Sequence, residues 1–138
     1  MQKVVITGHD LTVDQIIAVC REGAEVVLSD ESREKILASR QVVNELVEER
    51  KVVYGITTGF GKFSDVVISQ DECKLLQKNL IITHAVGAGD PFKEDIARGI
   101  LLLRVNSLSN GFSGICLETV ETMIAMLNKG VTPFIPEK

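Results

Sequence analysis

The chain has 138 residues, 45% of them hydrophobic and 25% charged, which is the composition of one ordinary globular domain and excludes intrinsic disorder. Its 15 basic and 19 acidic side chains give a net charge of −4, which argues against binding a nucleic acid backbone as its main role. Five Phe, one Tyr and no Trp also leave few rings on which single-stranded nucleic acid could stack.

The first predicted elements are a short strand and an amphipathic helix. Val4-Val5-Ile6 indicates the strand, because this apolar run is followed by the turn signal Thr7-Gly8. Thr12 and Gln15 have the spacing of a capping box, whose hydroxyl and amide groups satisfy free N–H groups at a helix start. Apolar residues follow at helical spacing: Val13, Ile16, Ile17 and Cys20. Gly23 is expected to end this helix.

A longer helix is predicted from about Asp30 to Arg50. Its acidic first turn suits the positive end of a helix dipole. One apolar stripe runs along it: Ile36, Val42, Val43, Leu46 and Val47. The charged residues of the opposite face are expected to be solvated.

The helical pattern stops at residues 54–64, which read YGITTGFGKFS and predict a loop because three of the eleven residues are glycine. A second capping-box pattern at residues 69–72 predicts a third helix, which runs to about His84. The AVGAG run at residues 85–89 is expected to end it.

A fourth helix is predicted to begin at Asp90-Pro91, because proline fits the first helical position and Glu94 and Asp95 suit the first turn. Some of its apolar residues fall on or near one face: Ile96, Ile100, Leu103 and Leu108. Ser113 is expected to cap a fifth helix that ends at Gly130. The inward residues of this helix are predicted to be Leu117, Val120, Ile124 and Leu127. The prolines that follow predict an extended segment.

These elements predict a mainly α fold with about five helices and one minor short strand. No repeat or Pro/Ser-rich linker divides residues 1–138, so we expect a single segment with no second domain. No apolar run approaches the length of a membrane span. Cys20, Cys73 and Cys116 are odd in number and lack the spacing of a zinc site, which predicts reduced thiols in a cytoplasmic protein and no metal site. Because all three lie on apolar helix faces, we expect them to be buried.

Three polar residues are candidates for chemistry or for costly burial. Tyr54 either anchors its loop in the core or carries a proton, and as a base near neutral pH it would need a positive environment. His84 either favours the negative end of a helix dipole or contacts a substrate. Arg104 interrupts an apolar helix and is predicted to pair with a carboxylate or to cap carbonyl groups.

Several motifs follow one another in a fixed order along the chain. They are YGITTGFG at residues 54–61, LQKNL at 76–80 with THAVG at 83–87, RVNSL at 104–108 with GFSG at 111–114, and TPFIPEK at 132–138. These motifs, together with the opening ITGHDLTVDQI, resemble the aromatic amino acid ammonia-lyase family, and in particular its histidine-specific members. The resemblance spans essentially the whole chain.

The resemblance implies the N-terminal part of the L-aspartase/ammonia-lyase-like helical fold. Family members eliminate ammonia from an amino acid through an electrophilic methylidene-imidazolone, which forms from an Ala-Ser-Gly triplet of the chain and needs no external cofactor. Tyr54 matches the family's candidate base for the β-proton, and His84 matches the histidine associated with the substrate imidazole. The residues that match its mobile loop are Gly55, Thr58, Gly59, Phe60 and Gly61.

No Ala-Ser-Gly triplet occurs in these 138 residues. The resemblance therefore implies a fragment of a cytoplasmic, histidine-specific member, which converts L-histidine to urocanate in histidine degradation, and we expect the fragment alone to be inactive. The first alternative is a tyrosine or phenylalanine ammonia-lyase or aminomutase, since Thr83-His84 also suits another polar ring. The second alternative is a short non-catalytic binding or assembly module with the same fold.

The family's partners are also implied by the resemblance. Its members are homotetramers, so we expect a homo-oligomer that acts on an amino acid substrate. Without the family's long helices, the fragment should expose apolar faces and self-associate, for example as a non-native dimer. Nothing in the sequence calls for a nucleic acid, a membrane or a metal ion.

Overall fold

The computed structural model of the protein describes residues 2–58 and 70–138. Within them, the elements in chain order are β1 (Lys3–Ile6), α1 (Val13–Arg21), β2 (Glu25–Leu28), α2 (Asp30–Glu48), α3 (Gln70–His84), α4 (Glu94–Leu108) and α5 (Leu117–Asn128). This arrangement confirms the prediction of a mainly α fold. The chain forms two compact units, a first unit of Met1–Arg40 with Ala88–Lys138 and a second unit of Gln41–Gly87.

The core of the first unit contains a two-stranded parallel sheet. Val4 of β1 pairs with Val26 of β2, and Ile6 pairs with Leu28, so alternate side chains of both strands are buried. α5 packs against β2, α4 packs against α5, and α1 packs against α4, and all three helices contribute to the core. The main apolar residues in the core of the first unit are Val4, Ile6, Val19, Val26, Leu28, Ile36, Leu102, Val105, Val120 and Leu127. Burying each such side chain contributes about 1.5–3 kcal/mol.

The second strand is a difference from the prediction of a single strand. Asn128, at the end of α5, accepts a hydrogen bond from the Val26 N–H at 2.8 Å and donates one to the Val26 carbonyl at 2.9 Å. The amide therefore satisfies backbone groups of β2 that β1 does not reach. A four-residue strand that depends on so distant a side chain has only a weak local signal.

The start and end of α1 agree with the sequence pattern. The Gln15 N–H donates to Thr12 Oγ1 at 3.3 Å, and the Thr12 N–H donates to Gln15 Oε1 at 2.9 Å. These two bonds confirm the predicted capping box. At the other end, Gly23 has φ +74°, and the Ala24 N–H donates to the Ala18 carbonyl at 3.0 Å, which closes the helix.

The predicted start of α4 at Asp90-Pro91 is wrong, because the helix begins at Glu94. Residues 90–92 instead pair with the C-terminal segment. The Phe92 N–H donates to the Ile135 carbonyl at 2.9 Å, and the Glu137 N–H donates to the Asp90 carbonyl at 3.0 Å. This long-range pairing keeps Pro91 extended and overrides its local preference for a first helical turn.

The position of Arg104 in α4 also differs from the prediction. Arg104 is exposed and needs no buried partner, whereas Arg98 is only 8% exposed. Arg98 Nη2 donates to the Val19 carbonyl at 3.0 Å and to the Leu127 carbonyl at 3.2 Å. These carbonyl groups lie in the last turns of α1 and α5, so the guanidinium offsets the negative ends of two helix dipoles.

The buried face of α4 consists of Ala97, Arg98, Leu101, Leu102 and Val105. The apolar side chains of Ile96, Ile100 and Leu103 are 41–49% exposed. Together with side chains of α1, they line an apolar groove of about 270 Å³, which we call the α1–α4 groove. Since α4 carries apolar side chains on more than one face, the apolar pattern of its sequence does not identify which face is buried.

The predicted cap of α5 is wrong as well. Cys116 is the N-cap residue, and the Ser113 hydroxyl accepts from the Ile115 N–H at 3.4 Å, before the helix begins. The predicted burial of Val120, Ile124 and Leu127 is confirmed, and Leu117 packs partly buried against the core.

The cysteines differ in exposure. Cys116 is exposed, contrary to the prediction of a buried thiol, because its position at a helix start faces solvent. Cys20 is partly buried, and burial raises the pKa of its thiol despite the opposing positive charge of Arg98. The Cys73 side chain lies outside what the structure describes.

Two glycines with left-handed backbone conformations, Gly23 and Gly111, differ in how closely another part of the chain approaches them. Comparing them measures how much stability a side chain costs where the backbone of Lys35 lies close. Gly111 has φ +72°, and a Cβ there would lie 2.6 Å from the backbone carbonyl carbon of Lys35, whereas Gly23 has φ +74° and no atom near. We expect Gly23→Ala to lower the free energy of unfolding by about 1–2 kcal/mol, the cost of the backbone conformation alone. Gly111→Ala should cost about 1–3 kcal/mol more, because the added methyl overlaps a backbone.

Urea unfolding of the two glycine variants measures this difference directly. Matched φ values make Gly23→Ala the control for backbone strain. Equal losses of stability in the two variants would contradict a tight contact between Gly111 and Lys35.

The second unit contains the end of α2, a turn and α3. Arg50 has φ +52°, and the Lys51 N–H donates to the Leu46 carbonyl at 3.1 Å where the chain leaves α2. The apolar stripe of α2 is buried only at Ile36, in the first unit, whereas Val42 is 55% exposed. α3 ends at His84 as predicted, and its predicted cap at Ser69 lies outside the described residues.

No helix within the described ranges is both long enough and apolar enough to cross a membrane. In the same part of the chain, no three side chains of His, Cys, Asp or Glu are grouped so that they could hold a metal ion.

Candidate functional site

Tyr54 lies in the turn that follows α2, with 63% of its surface exposed. The carbonyl of Val53 accepts from the Ile56 N–H at 3.1 Å and from the Thr57 N–H at 3.0 Å. Gly55, at φ +74°, lets the chain reverse directly after Tyr54. The turn therefore presents the phenol at the surface of the second unit rather than in a core.

Thr57 fixes the base of this turn. Its side chain is 5% exposed, and its Oγ1 accepts from the Val53 N–H at 2.9 Å and donates to the Lys51 carbonyl. Thr57 is not one of the residues that the sequence pattern singles out, although hydroxyl groups in loops commonly bond to nearby backbone. The threonine pair in the glycine-rich segment was the available signal.

The charge nearest in sequence to the Tyr54 turn is already paired. Lys51 Nζ forms an ion pair with Glu49, and this carboxylate raises the pKa of the lysine. Lys51 is thus held as a cation, but its charge is balanced locally. A base role for Tyr54 would need a positive group other than this lysine.

His84 is the last residue of α3, and its side chain is exposed. Its Nδ1 lies 2.9 Å from the Leu80 carbonyl oxygen. Because a carbonyl can only accept, Nδ1 carries the proton of this bond. In the neutral ring, Nε2 is then left as an acceptor for an N–H or O–H group of a ligand.

Thr83 stabilises the same end of the helix. Its Oγ1 donates to the Asn79 carbonyl at 2.9 Å and lies 3.1 Å from His84 Nδ1. The hydroxyl therefore packs against the protonated side of the imidazole, which leaves the Nε2 side for other contacts.

The rest of the predicted loop is only partly described. Thr58 is 1% exposed, so it is buried rather than presented to a ligand. Gly59, Phe60 and Gly61 lie outside the described residues. The movement expected of this loop stays a prediction.

The first unit contains a separate open cleft of about 630 Å³, lined among others by Cys20, Asp95 and Arg98. Asp95 is paired with Arg21 at 3.0 Å, and Arg98 is bound to two carbonyl groups. The charged groups of Asp95 and Arg98 therefore already have partners within the fold. We interpret the cleft as a structural feature and not as a binding site.

Comparison with known proteins places these residues in context. A family model described as aromatic amino acid lyase matches residues 11–138. A histidine ammonia-lyase of Caldanaerobacter subterraneus is 57% identical over 138 residues, which are the whole of this chain and 27% of that protein. The chain thus spans about a quarter of the length of this relative.

Two solved structures are similar to the chain throughout. The histidine ammonia-lyase of Trypanosoma cruzi matches with a TM-score of 0.93 and 41% identity, over 99% of this chain and 27% of that one. The tyrosine aminomutase of Streptomyces globisporus matches with a TM-score of 0.91 and 35% identity, over 99% of this chain and 26% of that one.

Proposed function

Since the chain belongs to the aromatic amino acid lyase family, we propose that it is the N-terminal part of an enzyme that eliminates ammonia from L-histidine to give urocanate. The observation that carries this proposal is the 57% identity to a histidine ammonia-lyase over all 138 residues. We further propose that the enzyme acts in the cytoplasm, in the degradation of histidine.

In this proposal, Tyr54 removes the β-proton of the substrate. Its exposed phenol lies on a turn whose backbone is fixed by hydrogen bonds from residues 56 and 57. As the base, Tyr54 takes the proton from the β-carbon, the electron pair of the C–H bond forms the Cα–Cβ double bond, and ammonia leaves the α-carbon with the electron pair of the C–N bond. The exposure of the phenol is consistent with access to an amino acid.

His84 binds the side chain of the substrate. With its Nδ1 proton donated to Leu80, the neutral ring offers Nε2 as an acceptor. An imidazole N–H of histidine can donate to this atom, and so can the hydroxyl of tyrosine, but phenylalanine has no ring donor. This chemistry favours histidine or tyrosine over phenylalanine.

The electrophile of the family does not fit the residues present. It forms from Ala-Ser-Gly, and the nearest sequences are Ala38-Ser39-Arg40 and Phe112-Ser113-Gly114. Ser39 lies within α2, where its Oγ accepts from the Gly114 N–H at 3.0 Å. Because residues 1–138 do not supply this triplet, we propose that they have no lyase activity alone.

The experiment compares two proteins with L-histidine, L-tyrosine and L-phenylalanine. One is the 138-residue chain, and the other is a longer polypeptide that carries this segment with an Ala-Ser-Gly triplet. We expect urocanate, followed by its ultraviolet absorbance, from the longer polypeptide alone. Urocanate from the 138-residue chain would contradict its inactivity.

A second candidate is a tyrosine aminomutase, favoured by the match to the Streptomyces globisporus structure. Turnover of tyrosine without turnover of histidine would support it. A short non-catalytic module is the remaining alternative, and absence of all three activities from the longer polypeptide would support that module.

We also propose that the complete enzyme is a homotetramer and that the isolated chain self-associates. The exposed side chains of Ile96, Ile100 and Leu103 in the α1–α4 groove form an apolar surface suited to such contact. Light scattering of the 138-residue chain should give a mass above that of a monomer. A monomer at high concentration would contradict this expectation.

A further inference from the structure

The Thr57 side chain reaches back across its turn to the backbone of Lys51 and Val53. Its hydroxyl accepts from the Val53 N–H at 2.9 Å and donates to the Lys51 carbonyl, so one side chain joins residues 51, 53 and 57. The side chain is 5% exposed, which shields both bonds from competing water.

Val53, which directly precedes Tyr54, is held at both of its backbone polar groups. Its N–H is bound by the Thr57 hydroxyl, and its carbonyl accepts from the N–H groups of Ile56 and Thr57. The peptide that leads into Tyr54 therefore has little freedom to rotate. The Thr57 hydroxyl is thus one of the groups that fix the backbone immediately before Tyr54.

We propose that Thr57 is a positioning residue, which holds the phenol of Tyr54 at the place where it takes the substrate proton. This inference rests on the proposed role of Tyr54 as a base. Thr57 does not touch the reacting atoms itself, and it acts through the backbone of Val53. A proton transfer is sensitive to such placement, because an error of about 1 Å can lower a rate about 100-fold.

The test uses the catalytically active, longer polypeptide with L-histidine as substrate. Thr57→Val removes the hydroxyl and keeps the branched shape, so we expect kcat to fall about 10- to 100-fold while KM changes little. Thr57→Ser restores a hydroxyl and should recover most of the loss. Thr122→Val is the matched control, because the Thr122 hydroxyl also donates to a backbone carbonyl, that of Glu118 at 2.7 Å, but on α5.

A double-mutant cycle separates positioning from a general loss of structure. If Thr57 acts through Tyr54, then Thr57→Val lowers kcat in the parent enzyme but has no further effect in a Tyr54→Phe background. A merely structural role would lower activity by the same factor in both backgrounds. If Thr57→Val does not fold, Thr57→Ala removes the same hydroxyl without filling its place and takes over the test.

The outcomes distinguish this inference from the proposed function. Full activity of Thr57→Val together with an inactive Tyr54→Phe overturns the positioning role and leaves the base in place. Full activity of Tyr54→Phe overturns the base itself and the positioning role with it. Failure of serine to rescue the valine variant would show that the hydroxyl is not the group responsible.

Discussion

Replacing Tyr54 with phenylalanine in the longer, active polypeptide should lower kcat by about 10²- to 10⁴-fold, the usual contribution of a positioned acid or base. The substitution removes one oxygen and keeps the ring, so packing around the turn is retained. Steady-state kinetics with L-histidine, followed at the urocanate absorbance, measure the loss. The proposed contact of His84 with the substrate is left unchanged, so KM is expected to change much less than kcat.

The same variant decides between the two interpretations of Tyr54. If the hydroxyl only anchors the loop to a backbone group, its removal costs about 0.5–1.5 kcal/mol of stability and leaves kcat intact. Thermal unfolding of the parent and the variant supplies the control. A stable variant that has lost turnover supports the base, and a destabilised variant with normal turnover supports the anchor.

Replacing Arg98 with methionine should lower the free energy of unfolding of the 138-residue chain by about 2–4 kcal/mol. Methionine fills much of the same volume but cannot donate to the carbonyl groups of Val19 and Leu127. Both acceptors would stay buried without this partner, at the negative ends of two helices. Urea unfolding followed by circular dichroism measures the change.

Arg104 provides the matched control on the same helix. It is exposed, so Arg104→Met should change stability by no more than about 0.5 kcal/mol. If Arg98→Met and Arg104→Met lowered the free energy of unfolding by similar amounts, the buried hydrogen bonds of Arg98 would not account for its contribution to stability.

The local features of the fold were predictable, and the long-range ones were not. The capping box of α1 was found because Thr12 and Gln15 are three residues apart and bond only each other and their own backbone. β2 and the true start of α4 were missed because Asn128 and residues 135–137 fix them from far along the chain. Arg98 and Arg104 could not be told apart by an apolar pattern that covers more than one face of α4.

The candidate site was predictable in its chemistry but not in its geometry. Tyr54 is a lone tyrosine and His84 a histidine beside a glycine-rich segment, but a structural role explains each of these positions equally well without the family motifs. The tautomer of His84 follows from the Leu80 carbonyl, which only coordinates could identify. Thr57 needed the burial of its hydroxyl to distinguish it from its neighbour Thr58.

The discontinuous first unit has a consequence for synthesis on the ribosome. β1, α1 and β2 are made first, but α4 and α5, which cover them, are added only after residues 41–87. Until Asn128 has emerged, the edge of β2 has unpaired backbone groups and the inner faces of the strands lack their cover. At about 5–20 residues per second, a nascent chain exposes the apolar face of this sheet for several seconds, and we expect chaperones that bind unfinished proteins to cover it during that time.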